Sequence, residues 1–518
     1  MADRAVALSS KTGLFAAALV AGLILAALVA VFMAADVAAG LGAADWAAVR
    51  FTVTQAVWSA VLSVLLAVPV ARALARRQFW GRGALITLLG APFILPVIVA
   101  VLGLLTVFGR SGVLNQFGAA LGLPSVSIYG LHGVVLAHVF FNLPLATRLL
   151  LQGWQSIPSE RFRLAGQLQM TPRALFLALE WPMLRQVLPG VAALIFVICL
   201  TSFAVALTLG GGPRATTIEL AIYQAFRFDF DLGRAALLSV VQLVLAGAAA
   251  VAALWLIPPI SMGGGLDRPL RRWDALGGVQ RALDGLVIAL AALFLLLPLG
   301  AVVLRGLAGV AQLPASVWQA SGNSILVAGL SVAVLALLAL PMAGWIATRR
   351  RGGVEAIGLM GLAASPLMIG TGWFILINPV LDPARLSLPV TALVNALMAL
   401  PFVLRILVPR LRETLQDYGP LTQTLGMKGW ALWRLLVLPR LRPQLGFAAG
   451  LTGALSVGDL GVIALFADQD RATLPLQMYR LMGAYRMEAA AGAALLLLVL
   501  ALAVFFICDK WGRWHADA

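Results

Sequence analysis

"SIPSERFRLAGQLQMTPRALFLALEWPMLRQ", residues 156–186, and "ETLQDYGPLTQTLGMKGWALWRLLVLPRLRP", residues 413–443, are two versions of one segment. Shifted by 257 residues, Leu164, Leu168, Met170, Ala174, Leu175, Leu179, Pro182, Leu184 and Arg185 fall on Leu421, Leu425, Met427, Ala431, Leu432, Leu436, Pro439, Leu441 and Arg442. At the same shift Pro144 meets Pro401, Arg148 meets Arg405, and "RAT" at 214–216 meets "RAT" at 471–473. Matched leucines mean little in a leucine-rich chain; matched prolines, arginines and methionine mean more. The chain is two copies of one plan.

What surrounds the repeated segment is apolar. Of 518 residues, 62% are hydrophobic and 11% charged, with a mean hydropathy of +0.98. A soluble domain has about 25% charged residues, so too little polar surface is present here to face water. A membrane-crossing helix needs about 20 mainly apolar residues. Twelve stretches qualify, near 13–34, 51–71, 84–108, 131–151, 188–209, 235–257, 284–304, 324–347, 355–378, 389–409, 445–466 and 490–508. They are continuous rather than alternating, so helices are expected and barrel strands are not. The first stretch is too long for the apolar core of a signal peptide and reads as a retained helix. The fold expected is all-α and polytopic, with about twelve transmembrane helices in two six-helix repeats.

Charge supplies the orientation. With both termini in the cytoplasm, most of the 37 lysines and arginines fall on the cytoplasmic side; the opposite orientation reverses that balance. The net charge of +16 is therefore topological. The basic residues are shared among short loops, which argues against a nucleic-acid surface. Six spans per half is an even number, so the halves are parallel, related by an axis along the membrane normal. The expected division is 1–257 for the first repeat, 258–283 for a cytoplasmic linker rich in Pro, Gly and Arg, and 284–518 for the second repeat.

The repeated segment falls between the fourth and fifth spans of each half, on the cytoplasmic side. Ser159 is placed to cap a short helix with Leu164 and Leu168 on one face. Thr171-Pro172 reads as an N-cap with proline in the first turn. A second helix follows, with Leu175 and Leu179 inward, and Pro182 is expected to end it. Residues 413–443 repeat the pattern, turning at "GMKG" and ending at Pro439. Two such elbows in one register suit a two-fold partner.

These elbows resemble the coupling loop of permeases of type I ATP-binding-cassette importers, approximately E-A-A-x-x-x-G with a proline 13 residues after the glycine. Here the glycine position holds Gln169 or Gly426, and the proline is Pro182 or Pro439. The E-A-A positions read Arg163, Leu164, Ala165 and Pro420, Leu421, Thr422, so the family's glutamate is absent from both copies. The resemblance implies ATPase contacts at Arg163, Leu164, Ala165, Gly166, Gln169 and Pro182, and at Leu421, Leu425, Gly426 and Pro439. "YGLHGVVLAHVFFNLPLATRLLLQ", "LTLGGGPRATTIELAIYQAF" and "LSVGDLGVIALF" narrow it to fused permeases of bacterial thiamine-class importers. The implied partners are a homodimeric cytoplasmic ATPase, a periplasmic substrate-binding protein, and thiamine or its phosphates; the implied location is the bacterial inner membrane. A fused ferric-ion permease is the alternative within the class, and an ion-coupled secondary transporter the alternative outside it.

No G-x-x-x-x-G-K-[ST] occurs, and Gly210–Gly212 runs into Pro-Arg, so no nucleotide loop is present. His132, His138 and His515 lack sequence partners for catalysis, and Cys199 and Cys508 sit in apolar runs. A pore is expected, with no enzyme activity of its own, no metal and no cofactor. Asp459 is the one carboxylate well inside an expected span, at a cost of about 2.5–3.5 kcal/mol on insertion scales. It either attracts a cationic substrate or accepts backbone N–H groups where Gly458 and Gly461 loosen the helix. Residues 209–234 and 467–489 are expected at the periplasmic mouth, where Gly211 and Gly212 permit a tight turn. Arg214 and Arg471 would stand at equivalent points there to receive the binding protein.

Overall fold

Leucine- and alanine-rich runs without charge satisfy every backbone group internally only as helices. The computed structural model of the chain, which describes residues 10–90, 94–256, 277–349, 352–362, 364–468 and 470–514, is built of them. Eleven of the described helices are long and apolar enough to cross a membrane. The protein is a multi-pass, all-α membrane protein.

Several long elements of the two halves match in length. Ala43–Arg76 and Ala315–Thr348 are both 34 residues long, and Trp181–Leu200 and Leu438–Val457 both 20. Residues 258–276 of the expected linker lie outside the described residues, as does His515; 278–283 belong to the helix Gly278–Gly309.

Four expected spans are not single helices. The run 355–378 divides into Gly353–Leu359 and Pro366–Ile377, which leaves it below spanning length as one helix. Ser365 accepts the Met368 N–H and Pro366 opens the new helix, a start signal inside an apolar stretch. The run 84–108 divides likewise into Arg82–Leu88 and Val97–Phe108, the latter preceded by Pro96. The fifth span of each half begins earlier than expected, at Pro172 and Gly429, and breaks near its far end. Short helices continue it as Ala204–Leu209 and Gly461–Phe466.

The halves exchange their first helices. Ser10–Ala34 packs on Pro366–Ile377 and Ala315–Thr348 of the other half; Gly278–Gly309 packs on Val97–Phe108 and Ala43–Arg76. Val20 and Ile24 thereby join the core cluster that holds most of the second half's buried residues, and Ala291 and Leu295 that of the first half. Apolar side chains gain nothing by leaving lipid for another helix, so close backbone approach drives this packing. Glycine supplies it. A Cβ on Gly372 would lie 2.3 Å from the Ala27 carbonyl oxygen, and one on Gly103 would lie 2.6 Å from that of Pro298.

Candidate functional site

The helix breaks converge. Pro96, Thr201 to Phe203, Pro366 and Gly458 to Leu460 all border a cavity of about 400 Å³ between the two halves. Non-helical backbone at membrane depth is tolerated where it lines such a space. Its walls are mainly apolar, with His138, Asn142, Thr201, Ser202, Glu219 and Asp459 as polar groups.

A polar layer repeats across it. In the first half, His138 bonds Ser59 Oγ through Nδ1 (3.1 Å) and Ser202 Oγ through Nε2 (2.8 Å). In the second, Asn395 Nδ2 donates to Ser456 Oγ (3.0 Å), which also meets Ser331 Oγ (2.8 Å). Asn395 stands where the first half has His138, and Asp459 where it has Ser202. Asp459 Oδ1 accepts the Gly461 N–H at 3.2 Å, while Oδ2 is buried without a partner.

Glu219 was not singled out from the sequence. It lies in the first turn of Ile218–Arg227, a helix capped by Thr217, whose hydroxyl accepts the Leu220 N–H. The residue is 1% exposed and Oε1 has no hydrogen-bond partner. The polar, glycine-rich lead-in at 209–217 made this stretch read as part of the periplasmic mouth, outside the membrane. The usable signal was one carboxylate set among Ile218, Leu220 and Ile222.

That same stretch corrects a register. The helices Ile218–Arg227 and Leu474–Gly483 correspond at a shift of 256, one fewer than the sequence match. The Ile218 N–H donates to Thr52 Oγ1 and the Leu474 N–H to Ser324 Oγ, both at 2.9 Å. Arg471 therefore corresponds to Ala215, and Arg214 to Asp470: the loop after the second copy is one residue shorter. Arg214 is exposed, whereas Arg471 donates from Nη1 to the Ala384 carbonyl at 2.9 Å. Gly211 and Gly212 adopt φ values of 75° and 128°, the tight turn expected of them.

At the opposite end of the fifth spans stand the two elbows. Ser159–Gln167 is a helix, but its N-cap is Pro158, not Ser159, which is already helical. In the second half the corresponding stretch continues the span as one helix, Ser387–Thr424. Pro158 breaks the first copy because it forces Ile157 toward extended backbone; Leu415 occupies its place in the second. Both copies then make the same turn. Met170 N–H donates to the Ala165 carbonyl at 3.1 Å, and Met427 N–H to that of Thr422 at 2.9 Å. Thr171 caps the next helix as expected, accepting the Ala174 N–H.

Pro182 and Pro439 do not end their helices. A π turn precedes each, Phe176–Glu180 and Trp433–Val437, and the wider coil absorbs the missing N–H and the bulk of the ring. The first π turn is braced by an ion pair, Arg72 Nε to the fully buried Glu180 Oε2 at 2.7 Å. Leu175 and Leu432 are buried beneath the elbows. Leu164 and Leu168 share one face, and that face is exposed (56% and 65%), as is that of Leu421 and Leu425 (54% and 63%). Arg163 and Gln169 are exposed beside them, Gly166 is half-buried and Ala165 is buried.

No family model matches the chain. Among curated proteins, the thiamine transport system permease protein ThiP of Brucella abortus (strain 2308) is 42% identical over 479 residues, covering 90% of this chain and 88% of its own. That of Salmonella typhimurium is 42% identical over 481 residues, covering 90% and 89%, and that of Escherichia coli K12 is 41% identical over 480, covering 89% and 88%. The chain belongs to the ThiP permease family. In this ThiP-family chain, the structure brings Asp459 together with Glu219, His138 and Asn142 on one cavity, and sets the two elbows apart from it. Cys199 is buried and Cys508 half-buried, and both are free.

Proposed function

We propose that this protein is the complete transmembrane pore of an ATP-driven importer for thiamine, its phosphates, or both, in the bacterial inner membrane. The observation that carries the reading is the pair of matched elbows, each showing two exposed leucines at one register, in a chain whose relatives are named thiamine permeases. Exposed apolar side chains that recur at equivalent places favour a two-fold partner.

In this reading both termini and both elbows face the cytoplasm. Residues 1–257 and 284–518 form the two permease repeats, joined through 258–283. One subunit of a homodimeric ATPase seats on the elbow of Arg163, Leu164, Gly166, Gln169 and Pro182. The other seats on that of Leu421, Leu425, Gly426 and Pro439. ATP hydrolysis belongs to that partner; this chain supplies the pore. ATP-driven closure draws the elbows together and opens the cavity outward. A loaded periplasmic binding protein docks at the mouth formed by Gly211, Gly212, Arg214 and Arg471 and releases its ligand inward. Arg72 and Glu180 tie the first elbow to the helix Ala43–Arg76, whose Ser59 bonds the cavity-lining His138.

The test is reconstitution with the ATPase and binding protein. ATP-dependent uptake of labelled thiamine is expected. Uptake driven by a proton gradient alone would overturn the reading in favour of a secondary transporter, and uptake of ferric ion in place of thiamine would overturn the substrate assignment.

A further inference from the structure

We infer that the central cavity is a binding site for a heterocyclic organic cation, held between Glu219 of the first half and Asp459 of the second. This deepens the importer reading and rests on it for the route the ligand takes.

Each carboxylate has one buried oxygen with no hydrogen-bond partner, Glu219 Oε1 and Asp459 Oδ2, and both residues line the same space. No lysine or arginine lines that space, and among the described residues neither acid is in an ion pair. Among the described residues Glu219 has only the neutral neighbours Ser365 and Gln242, and Asp459 only Asn395 and backbone N–H groups; with no cation beside either, two carboxylates around one cavity suit a positive guest. The scaffold does not demand them. Under the repeat, Asp459 corresponds to Ser202 and Glu219 to Pro475, so each half folds the same way without the other's acid.

The rest of the lining defines the guest. Phe141, Phe203, Ile94 and Leu367 give apolar and aromatic walls, which suit a flat cation whose charge is delocalised over a ring. Among the described residues no cluster of three His, Cys, Asp or Glu side chains is present to hold a metal ion. The volume of about 400 Å³ is within the range of small-molecule sites. The pocket is thus specific for charge and ring rather than for a hydrated ion.

The first measurement uses the full chain alone in lipid nanodiscs. N-benzylthiazolium is expected to bind at least tenfold more tightly than its neutral isostere benzylthiophene, and equal affinities would overturn the inference. The second uses the complete importer with Glu219→Gln, Asp459→Asn and the double variant. Each single change is expected to weaken thiamine uptake tenfold or more and to narrow the preference for thiamine over its neutral thiophene isostere; an unchanged preference in either would overturn the pairing. If a variant fails to assemble, the nanodisc comparison on the unaltered chain still decides. Failure of the unaltered importer to take up thiamine sinks the functional reading instead, while the thiazolium comparison continues to test the cavity.

Discussion

Gln169 and Gly426, 257 residues apart, hold the same left-handed backbone, with φ of 49° and 64°. Each follows the C-cap residue of its helix, where the chain reverses and the N–H of the next residue reaches back to a helical carbonyl. Glycine takes this conformation freely, whereas a side chain costs roughly 1–2 kcal/mol there. The first elbow therefore keeps the shape of the second at the expense of local strain.

Gln169→Gly is expected to stabilise the chain by about 1 kcal/mol, and Gly426→Gln to destabilise it by a similar amount. Thermal unfolding of the detergent-solubilised protein checks both. A lower midpoint for Gln169→Gly would show that the glutamine side chain supports the turn.

The exchange of first helices rests on two glycines. Gly372→Val and Gly103→Val are each expected to cost about 1–3 kcal/mol and to reduce the yield of folded protein, because a side chain would meet the Ala27 or Pro298 backbone. Gly247→Ala, where a Cβ meets nothing within 4 Å, is the matched control with no loss. Equal yields for all three would refute the close contact.

The Arg72–Glu180 pair is buried on the Glu180 side and 22% exposed on the Arg72 side. Glu180→Val leaves a half-buried guanidinium without its counter-charge, and about 3 kcal/mol of destabilisation is expected. The second elbow has Val437 at the corresponding place, so Arg72→Met combined with Glu180→Val should recover most of that loss. A thermodynamic cycle over the four proteins measures the coupling directly; additive losses would rule it out.

Leu164→Ser with Leu168→Ser, or Leu421→Ser with Leu425→Ser, removes exposed side chains only. Thermal stability is expected to stay within about 0.5 kcal/mol, while co-purification of the ATPase falls. Disulfide trapping from Gln169→Cys and Gly426→Cys to the ATPase should mark both sites. Full ATPase retention by all four leucine changes would place the contact elsewhere.

Much of the fold is legible in the residues themselves. Hydropathy alone places nearly all the spans, the shift of 257 exposes the duplication, and Thr171-Pro172 announces its own helix start. The misreadings have local causes. Pro182 and Pro439 look like helix ends, but a π turn is not written in the periodicity of the residues it contains. Pro366 and Pro96 sit inside apolar runs long enough to count as spans. "RAT" matches "RAT" in sequence, yet Thr217 and Thr473 are the residues that open the following helices.

By itself the sequence determined that this chain lives in a bilayer, is helical throughout its spans, and is built twice. These properties are sums over neighbouring residues, and neighbouring residues are what a sequence presents. Only the tertiary structure decided that the first helices cross to the opposite half, that four broken spans meet at one cavity, and that Glu219 shares it with Asp459. In lipid, the faces of a helix that touch other helices are as apolar as those that touch acyl chains. Hydropathy therefore carries no mark of which surfaces meet, and that choice is made by shape between segments hundreds of residues apart.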